Sequence, residues 1–179
     1  MPRLLERTVS LKIDKAYATI KSAFTDKGSK IISEQSPNKI LFKQGSIWGV
    51  SPNSAKKKIQ VNFESTNSAT KITCSSQVSP DWKNITLIGC ILAALFIGLF
   101  LWMDFDLSTF IVTQKPNTWS WLITVNGNID LQVSQAFVNL TKSLAAFLSI
   151  IIVIEIAITY YVYVRIDRFA EEAINSISK

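Results

Sequence analysis

Two apolar runs constrain this chain more than anything else in it. Ile85 to Met103, ITLIGCILAALFIGLFLWM, is 19 residues without a charge, and Ser143 to Val164, SLAAFLSIIIVIEIAITYYVYV, is 22 residues with one, Glu155. A helix rises about 1.5 Å per residue, so either run is long enough for a hydrocarbon core of roughly 30 Å. Only a helix satisfies its own backbone in lipid with a single segment. The runs are therefore read as two transmembrane helices, 85–103 and 143–164, forming a hairpin. A buried hairpin of a water-soluble protein is the competing reading, and the length and uniformity of the runs argue against it.

Charge is distributed unevenly around these runs. Met1 to Lys83 carries 14 Lys/Arg and 6 Asp/Glu, a net +8. The connection 104–142 carries two lysines and three aspartates, and the tail after Val164 is neutral. Lysine and arginine near span ends set orientation. Lys83 precedes the first run, Arg165 and Arg168 follow the second, and Asp104 and Asp106 lie at the far end of the first. Both termini are expected in the cytoplasm of an integral cell-membrane protein, with 104–142 outside. Met1 to Lys30 holds no apolar stretch of the signal-peptide type, so the first run is expected to act as its own insertion signal.

Residues 1–80 read as a small cytoplasmic α+β domain: strand, helix, then an antiparallel meander. Val9, Leu11 and Ile13 alternate with polar residues, which predicts a strand. Asp14 is a suitable helix N-cap, Tyr17, Ile20 and Phe24 share one helical face, and Gly28 suits the stop. Period-two runs follow at 30–33, 40–43, 58–63 and 71–78, separated by polar turns such as Ser51 to Ser54. One helix is expected to cover one face of the sheet. Gly45 and Gly49, in GSIWGVSPNSAKKK, do not match a phosphate loop. They predict a bend between strands, with Trp48 packed on the core or dipping toward the bilayer. In element order alone the segment resembles START-like helix-grip domains. Their ligand cavity is closed by a long C-terminal helix for which residues 1–80 leave no room.

The short linker Ser79 to Lys83 keeps this domain at the membrane surface, with Trp82 suited to the headgroup region. Lys56, Lys57 and Lys58 form a basic run that predicts contact with anionic lipid, at about 1 kcal/mol per residue near the surface. A solvated face is the plainer alternative. No nucleic-acid-binding motif is present, so nucleic acid is not an expected partner. Gly89 and Ala93, Ala94 and Gly98, and Ala145 and Ser149 are spaced four apart, which predicts close helix packing. Glu155 sits mid-run, where an ionisable group costs about 3 kcal/mol. Thr159 lies one turn away. Glu155 predicts a polar contact with another chain, with a bond inside the hairpin and an ion pathway as alternatives.

In the connection, Trp119 and Trp121 suggest an interfacial segment, and Val133, Phe137, Leu140 and Leu144 predict that the second helix begins near Asp130. The tail 165–179 is amphipathic, with Ile166, Phe169, Ala173 and Ile177 predicted to pack on the N-terminal domain. The chain has two cysteines and no histidine. Cys74 and Cys90 lie in different compartments on this topology, so neither a disulfide nor a metal site is expected. No catalytic constellation is visible, and no cofactor is implied. The expected function is a non-enzymatic accessory or scaffold subunit of a membrane assembly, partnered by lipid and by another membrane protein or itself. A lipid or small-molecule module with a cavity between helix and sheet is the second class. An oligomeric transporter or channel subunit using Glu155 is the third.

Overall fold

The computed structural model describes residues 4–66, 69–125 and 128–175. The chain divides into two compact units, Met1–Ile85 with Ala157–Lys179, and Thr86–Ile156. The first contains a five-stranded antiparallel sheet. Its strands are β1 (Leu4–Val9), β2 (Lys30–Gln35), β3 (Lys39–Gln44), β4 (Lys57–Thr66) and β5 (Ala69–Val78), in the spatial order β1-β5-β4-β3-β2. Strands β2 to β5 form the expected meander, and β1 closes the other edge by pairing with β5 from Leu4↔Ser75 to Val9↔Thr70. The first strand is therefore earlier than the alternation of Val9, Leu11 and Ile13 predicts. All three residues touch the core, but the chain leaves the sheet after Val9, and the Leu11 carbonyl accepts the Thr70 hydroxyl at 2.6 Å.

Helix α1 (Ile13–Asp26) follows, with Lys12 at its N-cap and Asp14 inside the first turn. Asp14 is thus not the cap, although its charge still suits the helix N-terminus. Ala16, Tyr17, Ile20 and Phe24 form the buried stripe. Gly28, at φ +83°, takes the left-handed conformation that ends the helix.

One face of the sheet presents Ile40 and Phe42 from β3, Ile59, Val61 and Phe63 from β4, and Ile72 and Cys74 from β5, all buried. Two helices cover that face, not one. The second is α4 (Arg168–Asn175), whose Phe169, Ala170, Ala173 and Ile174 complete the same core. Phe24 stacks on Phe42 at 4.8 Å and meets the Phe169 ring edge-on at 5.9 Å. The tail stripe thus packs on the sheet domain through Phe169 and Ala173, while Ile177 lies outside the described residues. The opposite face carries Lys39, Leu41 and Lys43 from β3, and Lys58, Gln60 and Asn62 from β4. Lys43 and Lys58 are exposed there. Edge strand β2 is interrupted by a register shift between Ile31 and Ser33, which blunts it as a template for pairing.

Two long apolar helices complete the chain: α2 (Pro80–Thr113) and α3 (Leu131–Val164), each of 34 residues. Pro80 opens α2, where a missing N–H costs nothing. Gln114, at φ +55°, turns the chain out of the helix ahead of Pro116. Asp130 caps α3, its Oδ1 accepting from Gln132 N and Val133 N at 2.9 and 3.1 Å. The second unit is sealed at this end by Leu107, Phe110, Ile123 and Val138. There the Asp106 carboxylate accepts from Trp119 N at 2.9 Å, and Trp102 meets Trp119 edge-on at 5.4 Å. Away from this cluster the apolar side chains of both helices are largely exposed.

Candidate functional site

The segment between β3 and β4 is built by its glycines. Gly45 has φ +84°, and a Cβ at Gly45 or Gly49 would overlap the carbonyls of Ala55 or Ser54. Only glycine permits this approach. Ser46 N donates to Ser54 O at 2.8 Å and Lys56 N to Ser46 O at 2.9 Å, which closes the loop on itself. The buried Trp82 indole, in the first turn of α2, donates to the Gly49 carbonyl at 2.8 Å. Ala55, Trp82, Val162 and Ile166 form a small second core there. Trp48 and Val50, on either side of the pinned Gly49, are 74 and 63 % exposed. The expected bend is present, and Trp48 is not packed on the core.

The basic run 56–58 separates into three environments. Lys57 has no exposed surface. Its ammonium donates to the Pro52 carbonyl and lies 4.9 Å from the centroid of the Phe169 ring. Burial pushes its pKa down to about 8, against the opposing pull of Asp167 and Glu172. Lys57 belongs to the core and cannot contact lipid. Lys56 is half-buried and pairs with Asp81. That hydrogen bond, with the charges of Lys56, Lys43 and Lys58, holds the Asp81 carboxyl below its ordinary value despite some desolvation. Lys58 alone of the three is exposed.

Strand register adds what the linear run conceals. Lys30 lies directly opposite Lys43, and Lys43 directly opposite Lys58, so three lysines from three strands form one row. Among the described residues none of these three has a carboxylate within salt-bridge distance, whereas Lys21 pairs with Glu34 and Lys71 with Glu6. Lys30, Lys43 and Lys56 line a cleft of about 380 Å³ with Gly28, Gly45 and Ile47. Sequence reasoning missed Lys30, because cross-strand neighbours are invisible until the pairing is known.

Within the long helices Glu155 is half-exposed, and among the described residues it has no hydrogen bond or ion pair. Thr159 Oγ1 is buried without a hydrogen-bond partner among the described residues. Gly89 and Gly98 lie on open surface, where a Cβ would meet nothing within 4 Å. Ala94 is exposed, Ala93 half-buried and Ala145 buried. The Ser149 hydroxyl returns to the Ala145 carbonyl at 2.8 Å. The glycines therefore make no close helix contact within their own unit.

The space between α1 and the sheet is filled by Phe24, Ile20, Ile40, Phe42, Ile59 and Val61, all fully buried. A larger open groove of about 920 Å³ lies instead at the end of β5, lined by Ser76, Val78, Pro80, Lys83, Tyr163 and Asp167 among others. Both cysteines are free. Burial, reinforced by Asp167, pushes the Cys74 thiol up to about 12, which makes it inert as a nucleophile near neutrality.

No protein family matches the chain, and no curated protein matches it. Among solved structures it is similar to the crystal structure of CalU16 from Micromonospora echinospora, at 10 % identity over 79 % of this chain and 86 % of that one. The TM-score is 0.31, too low for that likeness to bear on fold or function.

Proposed function

We propose that the chain is a non-enzymatic two-span integral membrane protein of the cell membrane, whose basic sheet domain works in the cytoplasm at the lipid surface as an accessory or scaffold subunit of a membrane assembly. The observation that carries this is the pinned loop. It offers exposed Trp48 and Val50 beside Lys43, Lys56 and Lys58, and Trp82 ties it to the start of the first apolar helix. Tryptophan suits the headgroup layer, and lysines add attraction to anionic lipid. The open glycine faces of α2 and the Glu155 carboxyl, without a partner among the described residues, suit contact with another membrane chain.

Two experiments test this. A bimane label on Trp48→Cys, in a Cys74→Ala, Cys90→Ala background, should be quenched by headgroup-level nitroxide lipids in anionic liposomes. An unquenched label removes the docking surface. Single cysteines at Ser65 and Asn117 in the same background test topology in intact cells. An impermeant thiol reagent should modify residue 117 and spare residue 65, and the reverse pattern overturns the orientation.

A second reading, a lipid-binding module, is favoured by the groove at the end of β5, where the buried Ser76 hydroxyl has no hydrogen-bond partner among the described residues. Co-purification of a stoichiometric lipid, lost on Ser76→Phe, would put this reading first.

A further inference from the structure

We infer that the cleft between Lys30, Lys43 and Lys56 is a binding site for a phosphomonoester or diphosphate group, with the Asp81 carboxylate as its built-in competitor. The inference deepens the surface-docking reading and rests on it for its lipid arm. Like charges directly opposite on a sheet repel. Here Lys30, Lys43 and Lys58 stand in consecutive register, and the acid nearby is Asp81. That carboxylate pairs with Lys56 and is 64 % exposed on its side chain. The cationic row is therefore under-neutralised by the protein itself.

The geometry favours phosphate over a diffuse electrostatic surface. Lys30 and Lys43 line the cleft from the neighbouring strands β2 and β3, and Lys56 lines it from the residue just ahead of β4. The volume of about 380 Å³ holds a phosphate with its ester substituent. A phosphomonoester carries about −1.5 to −2 charges near neutrality, against −1 for a diester. Three ammonium donors around one small anion reward that difference, because charge-assisted hydrogen bonds add for each oxygen reached. Asp81 takes one of the three donors, so an incoming phosphate must displace it from Lys56.

This chemistry has two sources, a lipid headgroup such as phosphatidate and a free diphosphate. The full-length chain in neutral detergent is titrated calorimetrically with dihexanoyl phosphatidate, dihexanoyl phosphatidylglycerol and inorganic pyrophosphate. Phosphatidate should bind about tenfold more tightly than phosphatidylglycerol, and Lys30→Gln with Lys43→Gln should remove about tenfold of that affinity. Lys58→Gln, in the row but outside the cleft, should cost less than about threefold, and Asp81→Asn should tighten binding. Thermal unfolding of each variant confirms that the domain is intact. Binding of pyrophosphate without phosphatidate supports the site and assigns it a soluble ligand. Equal affinity for the two lipids, or equal losses from Lys58→Gln and the cleft pair, overturns the cleft and leaves the docking surface standing. Selective phosphatidate binding with an unquenched label at position 48 does the converse.

Discussion

Phe24 and Leu95 are both large apolar residues on helices, yet one has no exposed surface and the other is 66 % exposed. Phe24 is enclosed by Phe42, Phe169 and the sheet. Around Leu95, Phe96 and Leu92 are exposed as well, and on α3 so are Phe147, Val153 and Ile156. The same hydrophobic demand is answered in one unit by protein atoms. In the other it is left to the surroundings. Exposed apolar side chains recur along the apolar stretches of α2 and α3, and an apolar surface of that kind is rare on soluble monomers. A bilayer removes the cost, because lipid tails are as apolar as leucine.

The sharpest way to break this contrast is to truncate both residues. Phe24→Ala should lower stability by about 3–5 kcal/mol, through a cavity beside the Phe42 and Phe169 rings. Leu95→Ala in lipid-like micelles should stay within about 0.5 kcal/mol, as for other substitutions at a surface. Chemical denaturation followed by near-ultraviolet circular dichroism measures both. Equal losses would mean that α2 is a packed interface and not a lipid-facing sheath.

Next in size is Trp82→Phe, which keeps the ring in the second core and removes the donor to the Gly49 carbonyl. A buried acceptor left unpaired should cost about 1–3 kcal/mol. Hydrogen exchange of residues 46–50 should rise at the same time. Unchanged exchange there would show that the loop is held without the indole.

The buried Lys57 gives a pH signature to the sheet unit alone. Its pKa of about 8 lies below the ordinary 10.5. Between those values the unfolded chain holds a proton that the folded chain has released. Stability therefore gains from this group as pH rises from about 8 to 10.5, with a slope of at most about 1.4 kcal/mol per unit. Below pH 8 both states are protonated, and the desolvation penalty is constant. Lys57→Met should remove that contribution, so that stability climbs less, or falls more, between pH 8 and 10.5 than in the parent chain. Parallel curves would place the ammonium in water.

The smallest effect belongs to the apolar unit. Glu155→Leu should weaken self-association or partner co-purification by about 0.6 kcal/mol, typical of intramembrane hydrogen bonds, while Glu155→Gln largely preserves it. Intact assembly with a higher melting temperature in the leucine variant would remove Glu155 as an assembly contact.

How much of this could be read from the chain follows from the range of the forces involved. The α1 stripe of Tyr17, Ile20 and Phe24 and the alternation in β3 to β5 were legible, because both depend on local period. The stop at Gly28 was legible from its lack of a Cβ. The position of β1 was not, since Val9, Leu11 and Ile13 all face the core, and only the register with Thr70 decides which of them pairs. Lys57 looked like its neighbours in the run 56–58. Its burial is a consequence of strand alternation continued two residues back from Ile59, under a helix more than a hundred residues away in sequence. The phosphate cleft was hidden for the same reason: Lys30 and Lys43 belong to different strands and meet only through pairing.

The core of the sheet unit is assembled from two stretches of chain, with both apolar helices encoded between them. During synthesis the ribosome delivers Phe24, Phe42 and Phe63 first, and Phe169, Ala173 and Ile174 last. The sheet is thus made with one flank of its interior unbuilt until α4 is complete. A chain that stops before Arg168 leaves the Phe24 and Phe42 rings without the cover that Phe169, Ala173 and Ile174 provide.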